Sequence, residues 1–516
     1  MNMKRMSHLV LLLLFVNTLW AQTKTYDGYT FVFGEKELYL YDMDKKVVNK
    51  WTSSSTIQAC ADLLRDSSVI VPSKATGAGF SSLAVPHGHF QILNWKGEIT
   101  WDYTYASSSY TPHHDIEPVY RTNDPKEKPT FLVPCYTAWG DKIVELRPTG
   151  KTTGEVIWEW AASDHLCESN CSDKADVLDK SKGGVSSFNK TSDAMHVNGV
   201  SYNRRLDQIV ISCKGYNEFF IVDHSTTTAE AKTTSGGKSG KGGSILYRWG
   251  TPSNYGIGGS SKIFSGQHHC CWVQDTMPGT KDPIPGGGNF MAIDNGNKRA
   301  LEIENPFKNG TYSRTAGKAY EPASFLWSYK PSGLASNEGS IQKLSNGNYL
   351  ICTGGVDMGF GGPGGKSTEN ESSSSVAGAF PGGGESKIYE ITPGTTGGTV
   401  VWELTGFGTS SEGYRYAYNY LNGGKSPVKK TNTMRLNNND LKISTIQNNG
   451  SVAITLNTSI KNSILTMYTL SGKEVLTVSK RNAVNNWNIG LIPAGIYLFK
   501  ISSSECALTG KVSVQL

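Results

Sequence analysis

The stretch "GEVIWEW", residues 154–160, alternates aliphatic or aromatic residues with polar ones and opens on a glycine turn. That is the period-two pattern of a half-buried strand. The phrase returns as "GEITWDY" at 97, "GSILYRW" at 243, "ASFLWSY" at 323 and "GTVVWEL" at 398, with a weaker "KVVNKW" ending at Trp51. Six ordered copies of one strand type predict a repeated β unit. In "KIVELRPTGKTTGEVIWEW" and "KIYEITPGTTGGTVVWEL" a second strand and a turn precede the phrase, as in a meander. No long segment shows apolar residues at helical spacing, so the chain reads as all-β.

Radial repetition of four-stranded sheets protects strand edges, and about 40 residues suffice for each unit. The reading is a six-bladed β-propeller over residues 22–421, its surplus residues forming loops. A β-sandwich with chance aromatic echoes is the plainer alternative. The recurring tryptophans read as packing between blades, not as a carbohydrate platform. "TTSGGKSGKGGS", 233–244, departs from G-x-x-x-x-G-K-[ST] and precedes a strand, so it reads as a flexible loop, not a phosphate cradle. The Gly/Ser-rich run 354–386 reads as a mobile insertion.

The first 21 residues have a charged start (Lys4, Arg5), a short apolar run (Leu9 to Val16) and a small residue at Ala21, the parts of a secretory signal. The apolar run is too short to cross a bilayer, and no later stretch approaches about 20 apolar residues. The expectation is an exported protein without a transmembrane segment, secreted or at the cell surface after passage through the periplasm. A net charge of +6 spread over 516 residues, with no dense basic run, argues against a nucleic-acid partner. Nine cysteines permit disulfides and leave at least one thiol unpaired. Cys167 and Cys171 are spaced to staple a local loop.

Residues 422–440 are polar and basic and read as a linker. Residues 441–516 read as a small C-terminal β-sandwich, with a hairpin around Ser471, Gly472 and Lys473. Its phrases "MYTLSGKEV", "GLIPAGIYLFKI" and "GKVSV" resemble the C-terminal sorting domain of the type IX secretion system. The resemblance implies an address read by the outer-membrane secretion machinery, with no part in the chemistry.

Histidines gather in three phrases from different units: "TPHHDIEPVY" around 113, "DAMHVNGVSYN" around 196 and "SGQHHCCWV" around 268. In a propeller such distant phrases meet around the central channel, where His, Asn and a cation suit an anionic substrate. Residues about 90–420 resemble the bacterial arylsulfotransferases through "HHDIEP", "VSYNRRLDQIVISCKGYNEFFIVDHSTTTAEA", "KGGSILYRWGTPSNYG", "GQHHCCW" and "IDNGN", in family order. The resemblance implies sulfuryl transfer from a phenolic sulfate donor to a phenol acceptor through a sulfated histidine, with no cofactor. It assigns the nucleophile to His268 and the sulfate pocket to His114, His196, Asn198 and Lys214. His269, adjacent, is the reserve nucleophile.

Chemistry agrees with the assignment. Sulfuryl transfer, like phosphoryl transfer, asks the protein for position and charge. A neutral imidazole splits the displacement into two easier steps. His268 must then be unprotonated, while His114 or His196 serves as donor or general acid. Three departures stand out: Lys214 replaces the family's usual arginine and loses its planar fork, the phrase before His196 lacks tryptophan, and His269 replaces an acidic residue. They leave open a rival reading, a non-catalytic propeller that binds a surface glycan, a sulfated ligand or a protein. A metal centre at His113, His114 and 268–271 is disfavoured because adjacent ligands are poor strand geometry. Cys270 and Cys271 read as packing, His87 and His89 as exposed strand polarity, His224 as a turn residue, and "DNG" at 294–296 as a turn before a site.

Overall fold

The computed structural model describes residues 25–124, 126–183, 192–258, 262–355, 385–421, 441–445, 451–460, 462–470, 473–480, 482, 484–493, 495–503 and 507–514. The expected signal (1–21), the linker (422–440), most of the 354–386 insertion, and Ser471 and Gly472 lie outside these residues. Contacts divide the chain into units 1–425 and 426–516.

The first unit is all-β, with six antiparallel sheets of four or five strands among the described residues. Each sheet ends on one of the recurring phrases: Val47–Thr52, Ile99–Thr104, Thr153–Ala161, Tyr247–Trp249, Trp327–Tyr329 and Gly398–Leu404. The phrase is therefore one edge strand of every sheet. Its tryptophan joins that sheet to the next. Nε1 of Trp51 donates to the Asn94 carbonyl, Trp101 to Thr153, Trp160 to Gly243, Trp249 to Pro322 and Trp327 to Gly397, at 2.7 to 3.0 Å. Trp402 of the sixth sheet donates back to Met43 of the first at 3.2 Å, so the six bonds form a cycle. Each accepting carbonyl lies at or just before the next sheet's own phrase. Such an acceptor stabilises a buried indole N–H, which gives the repeat its physical reason.

The opposite edges of the six sheets are Asp62–Leu63, Glu117–Val119, Val197–Asn203, His268–Trp272, Ser340–Lys343 and Gly413–Ala417. All six contribute to a single cavity of about 220 Å³, through Asp62, Glu117, Tyr202, Cys271, Gln342 and Tyr414 among others. The last of these strands completes the sheet begun by Gly28–Phe33, pairing Tyr414 with Phe31. First and last sheet strands of the unit are thus hydrogen-bonded to each other, which ties the ends of the array together.

The loop at 233–244 is pinned, contrary to the expectation of flexibility. Asp223 Oδ2 accepts from the Ser239 amide at 2.7 Å, Ser225 Oγ from the Lys238 amide at 2.7 Å, and Gly243 carries the Trp160 bond. Cys167 and Cys171 are disulfide-bonded, and the six free cysteines among the described residues are all buried.

The second unit holds a three-stranded sheet (Leu441–Thr445, Ser451–Ile460, Val484–Leu491) and a four-stranded one (Glu474–Lys480, Ser463–Thr469, Gly495–Ser502, Ala507–Val514). Ile454 and Trp487 of the first share one buried cluster with Leu465, Met467, Phe499 and Ile501 of the second.

Candidate active site

Three cavity-edge strands break their register at the histidine phrases. Pairing shifts between Val197 and Val200 and between His268 and Cys271, and the third edge is interrupted between Pro112 and Glu117. His114 and His269 sit at these breaks with φ of 58° and 49°, and His196 immediately before its strand with φ of 49°. A non-glycine residue there costs about 1 kcal/mol or more, and bulges of this kind re-aim side chains. The breaks also explain how neighbouring histidines come to serve different surroundings.

His114, His196, Lys214 and His268 are all buried or nearly so and lie close enough to feel one another's charge. The rings of His114 and His196 are 4.8 Å apart. Asn198 joins the group: its Nδ2 donates to the Gln267 carbonyl at 2.7 Å and its Oδ1 accepts from Ser212 Oγ at 2.7 Å. The second Nδ2 hydrogen remains for a ligand. Lys214 directs Nζ to Asn337 Oδ1 at 3.1 Å, while its amide donates to the His196 carbonyl. All five residues singled out from sequence are brought together.

Hydrogen bonds set the tautomers. His268 Nδ1 faces the Gly266 carbonyl at 3.2 Å and Asn295 Oδ1 at 2.8 Å. A carbonyl can only accept, so Nδ1 carries the hydrogen and Nε2 keeps its lone pair. His269 is the reverse. Its Nδ1 accepts the Ile341 amide at 3.3 Å, so Nε2 holds the proton and donates to Tyr414 Oη at 2.9 Å. Tyr414 in turn donates to Glu412 at 2.9 Å. Both nitrogens of His269 are occupied, and the ring lines the cavity. Among the described residues His268 Nε2 keeps a free lone pair, whereas His269 has none.

His196 is held by Asp193 at 3.0 Å through Nδ1. His113, stacked on Tyr136, bridges Asp141 at 3.1 Å and His114 Nδ1 at 2.8 Å. Asp141 also accepts the Val197 amide at 2.9 Å, tying two of the phrases together. Burial pushes His268 well below the usual imidazole range, and the Lys214 charge pushes the same way. Burial, then His196 and His113, does the same to His114. Burial lowers Lys214 too, against the pull of Asp193 and Glu338. None of the five residues singled out from sequence is among those lining the cavity of about 220 Å³, which His269 does line; they form a buried group in which Lys214 is the cation and the Asn198 amide a donor. That suits a small anion.

Sequence reasoning missed Asn295. Its Nδ2 donates to the carbonyls of Ala335 at 3.2 Å and Glu338 at 2.7 Å, which leaves Oδ1 for His268. "DNG" does form a turn, at Asn295–Asn297, and its first asparagine is also the anchor of His268. His87 is fully buried, contrary to the expectation of exposure, against Phe90 and with no hydrogen-bond partner at either ring nitrogen among the described residues. His89 pairs instead with Asp102 at 2.8 Å. Among the described residues no group of three His, Cys, Asp or Glu side chains is arranged to hold a metal ion. No described helix is long and apolar enough to cross a membrane.

Comparison with known proteins agrees with this chemistry. Residues 92–415, more than half of the chain, match the family model of the arylsulfotransferases (ASST), and the chain belongs to that family. It is accordingly an aryl-sulfate sulfotransferase. A search of curated proteins finds no match. Similar solved structures are distant. Kuenenia stuttgartiensis hydrazine synthase is 11% identical, with 54% of this chain and 69% of that one covered and a TM-score of 0.33. The dihydro-heme d1 dehydrogenase NirN is 10% identical (90% and 75% covered, TM-score 0.31), and the Dos1 propeller 9% identical (63% and 74%, TM-score 0.31).

Proposed function

We propose that the six sheets are the blades of a β-propeller, that the cavity is its axial channel, and that sulfuryl transfer proceeds at the channel mouth through sulfated His268. The observation that carries this reading is the hydrogen bonding of His268, with Nδ1–H spent on Gly266 and Asn295 and Nε2 free. Nε2 attacks the sulfur of an aryl sulfate, the S–O bond to the ring breaks, and a phenol leaves. A second phenol then takes the group from His268. His114, His196, Asn198 and Lys214 hold the non-bridging oxygens, whose charge must be met by donors already in place. Lys214 does this as a point charge, without the two-toothed grip of arginine.

The same reading makes residues 1–21 an export signal and residues 441–516, a small sandwich, the address for the type IX machinery. Mass-spectrometric trapping of a sulfated peptide containing His268, after mixing the protein with 4-nitrophenyl sulfate and no acceptor, tests the mechanism. Sulfate on any other residue, or none with turnover intact, overturns it.

A further inference from the structure

Residues 337–339 make hydrogen bonds on three sides, two of them to residues of the site. Asn337 Oδ1 receives Lys214 Nζ at 3.1 Å, and the Glu338 carbonyl receives Asn295 Nδ2 at 2.7 Å. On the third side, the Gly339 amide donates to the Ser411 carbonyl at 3.0 Å. Glu338 itself has φ of 63°, a costly conformation for a residue with a side chain. Its backbone is therefore fixed one hydrogen bond away from the amide that orients His268.

The side chain has an unusual situation. Oε2 is buried and has no hydrogen-bond partner among the described residues. Lys214, Glu412, Cys60 and Cys352 are the titratable groups that act on it or feel its charge. Burial, only partly offset by Ser411 and Lys214, pushes its carboxyl up to about 7. An unpartnered buried carboxylate is expensive, whereas a neutral carboxylic acid tolerates the place and can donate. The proposed reaction needs such a group. Lys214 Nζ is the other group here with a proton to give, and it is held by Asn337 as the fixed charge of the site.

We propose that Glu338 is the proton-transfer residue for the phenolic oxygen; this rests on sulfuryl transfer through His268. As the His268 Nε2–S bond forms and the S–O bond breaks, the electron pair goes to the aryl oxygen and the Glu338 proton follows it. In the second half, the acceptor hydroxyl returns a proton to the Glu338 carboxylate as its oxygen bonds sulfur and the S–N bond breaks. The two halves balance. One proton shuttles, and no co-reactant is needed.

The test is single-turnover sulfation of the full chain by a series of substituted phenyl sulfates, for wild type, Glu338→Gln and Glu338→Asp. A 4-nitrophenolate leaves without help and phenolate does not. The loss in Glu338→Gln is therefore expected to be about 100-fold greater for phenyl sulfate than for 4-nitrophenyl sulfate, with partial recovery in Glu338→Asp. Equal loss across the series, or no loss, overturns the proposal while leaving His268 untouched. A wild type that forms no sulfated His268 overturns the functional reading and this proposal with it. Should Glu338→Gln not fold, wild type alone decides. Its phenyl sulfate rate should fall above about pH 7 while its 4-nitrophenyl sulfate rate does not, and parallel falls overturn the proposal.

Discussion

Asn295 Oδ1 lies 2.8 Å from His268 Nδ1, and the amide cannot turn over because both Nδ2 hydrogens go to main-chain carbonyls. The asparagine thus holds the ring in the tautomer that leaves Nε2 bare, as an outer partner does for a metal-bound histidine. Asn295→Ala leaves two half-buried carbonyls short of a donor and frees the ring. The expected result is a fall in kcat of about 10- to 100-fold with KM for the donor nearly unchanged. Steady-state kinetics with 4-nitrophenyl sulfate and phenol measure it; a change in KM alone would mean that Asn295 shapes binding instead.

The two adjacent histidines are expected to separate cleanly. His268→Ala should abolish the burst of 4-nitrophenolate, because it removes the ring whose Nδ1–H is held by Gly266 and Asn295 with Nε2 left bare. His269→Ala should keep the burst and lower the melting temperature, since it removes the link from Ile341 to Tyr414. Burial, then the Lys214 charge, holds His268 well below its usual range, which favours the unprotonated ring. The burst rate with 4-nitrophenyl sulfate should therefore be flat from about pH 6 to 8. A steep loss toward pH 6 would mean that the nucleophile is protonated there.

How much of this could be read from sequence depends on the range of the interaction. The tryptophan phrases were legible because each is a local strand pattern, and the structure places every copy at the same edge of its sheet. The bond from Trp402 to Met43 spans 359 positions, and nothing local signals it. His114, His196, Asn198, Lys214 and His268 were legible as phrases in family order, and their meeting follows from the sheet edges. Asn295 and Glu338 were not. One looked like an ordinary turn asparagine, and the other depends on a left-handed backbone that no residue type announces. His87 was misread because its strand-like spacing with His89 ends at Gly88, where the strand begins.

Lys214 supplies one charge, held in place by Asn337. Lys214→Met keeps the length and loses the charge. Loss of a charge-assisted hydrogen bond, about 1.5–3 kcal/mol, predicts a fall in kcat/KM of about 10- to 100-fold for every aryl sulfate, whatever its leaving group. That uniformity separates Lys214 from Glu338. A loss that grows with the leaving-group pKa would place the proton at Lys214.

The tryptophan cycle makes a stability prediction. Trp160 is fully buried and donates to Gly243 at 2.7 Å, whereas Trp402 is partly exposed and its bond to Met43 is 3.2 Å. Replacement by Phe leaves the carbonyl unpaired and removes packing. Trp160→Phe should cost about 2–4 kcal/mol and Trp402→Phe about 1 kcal/mol. Urea unfolding gives both. The reverse ranking would mean that closure between the sixth and first sheets, not burial, limits stability.

His224 links three parts of the first unit by charge, with Nδ1 on Asp207 and Nε2 on Glu145, both at 2.9 Å. Burial alone would lower its pKa, but the two carboxylates outweigh that and raise it. Burial would likewise raise Asp207 and Glu145, and hydrogen bonding to His224 prevails and lowers both. A raised histidine contributes stability that is complete below its unfolded value, about 6.5, and is lost as pH rises through the folded value. The lowered carboxylates contribute stability present above about pH 4 and lost as pH falls through their folded values. The trio is therefore strongest between those limits. His224→Gln should lower the melting temperature more at pH 6 than at pH 9, with the gap closing as the wild-type ring loses its proton. An equal drop at both values would mean that the ring is held neutral and contributes only packing against Trp158 and Tyr202.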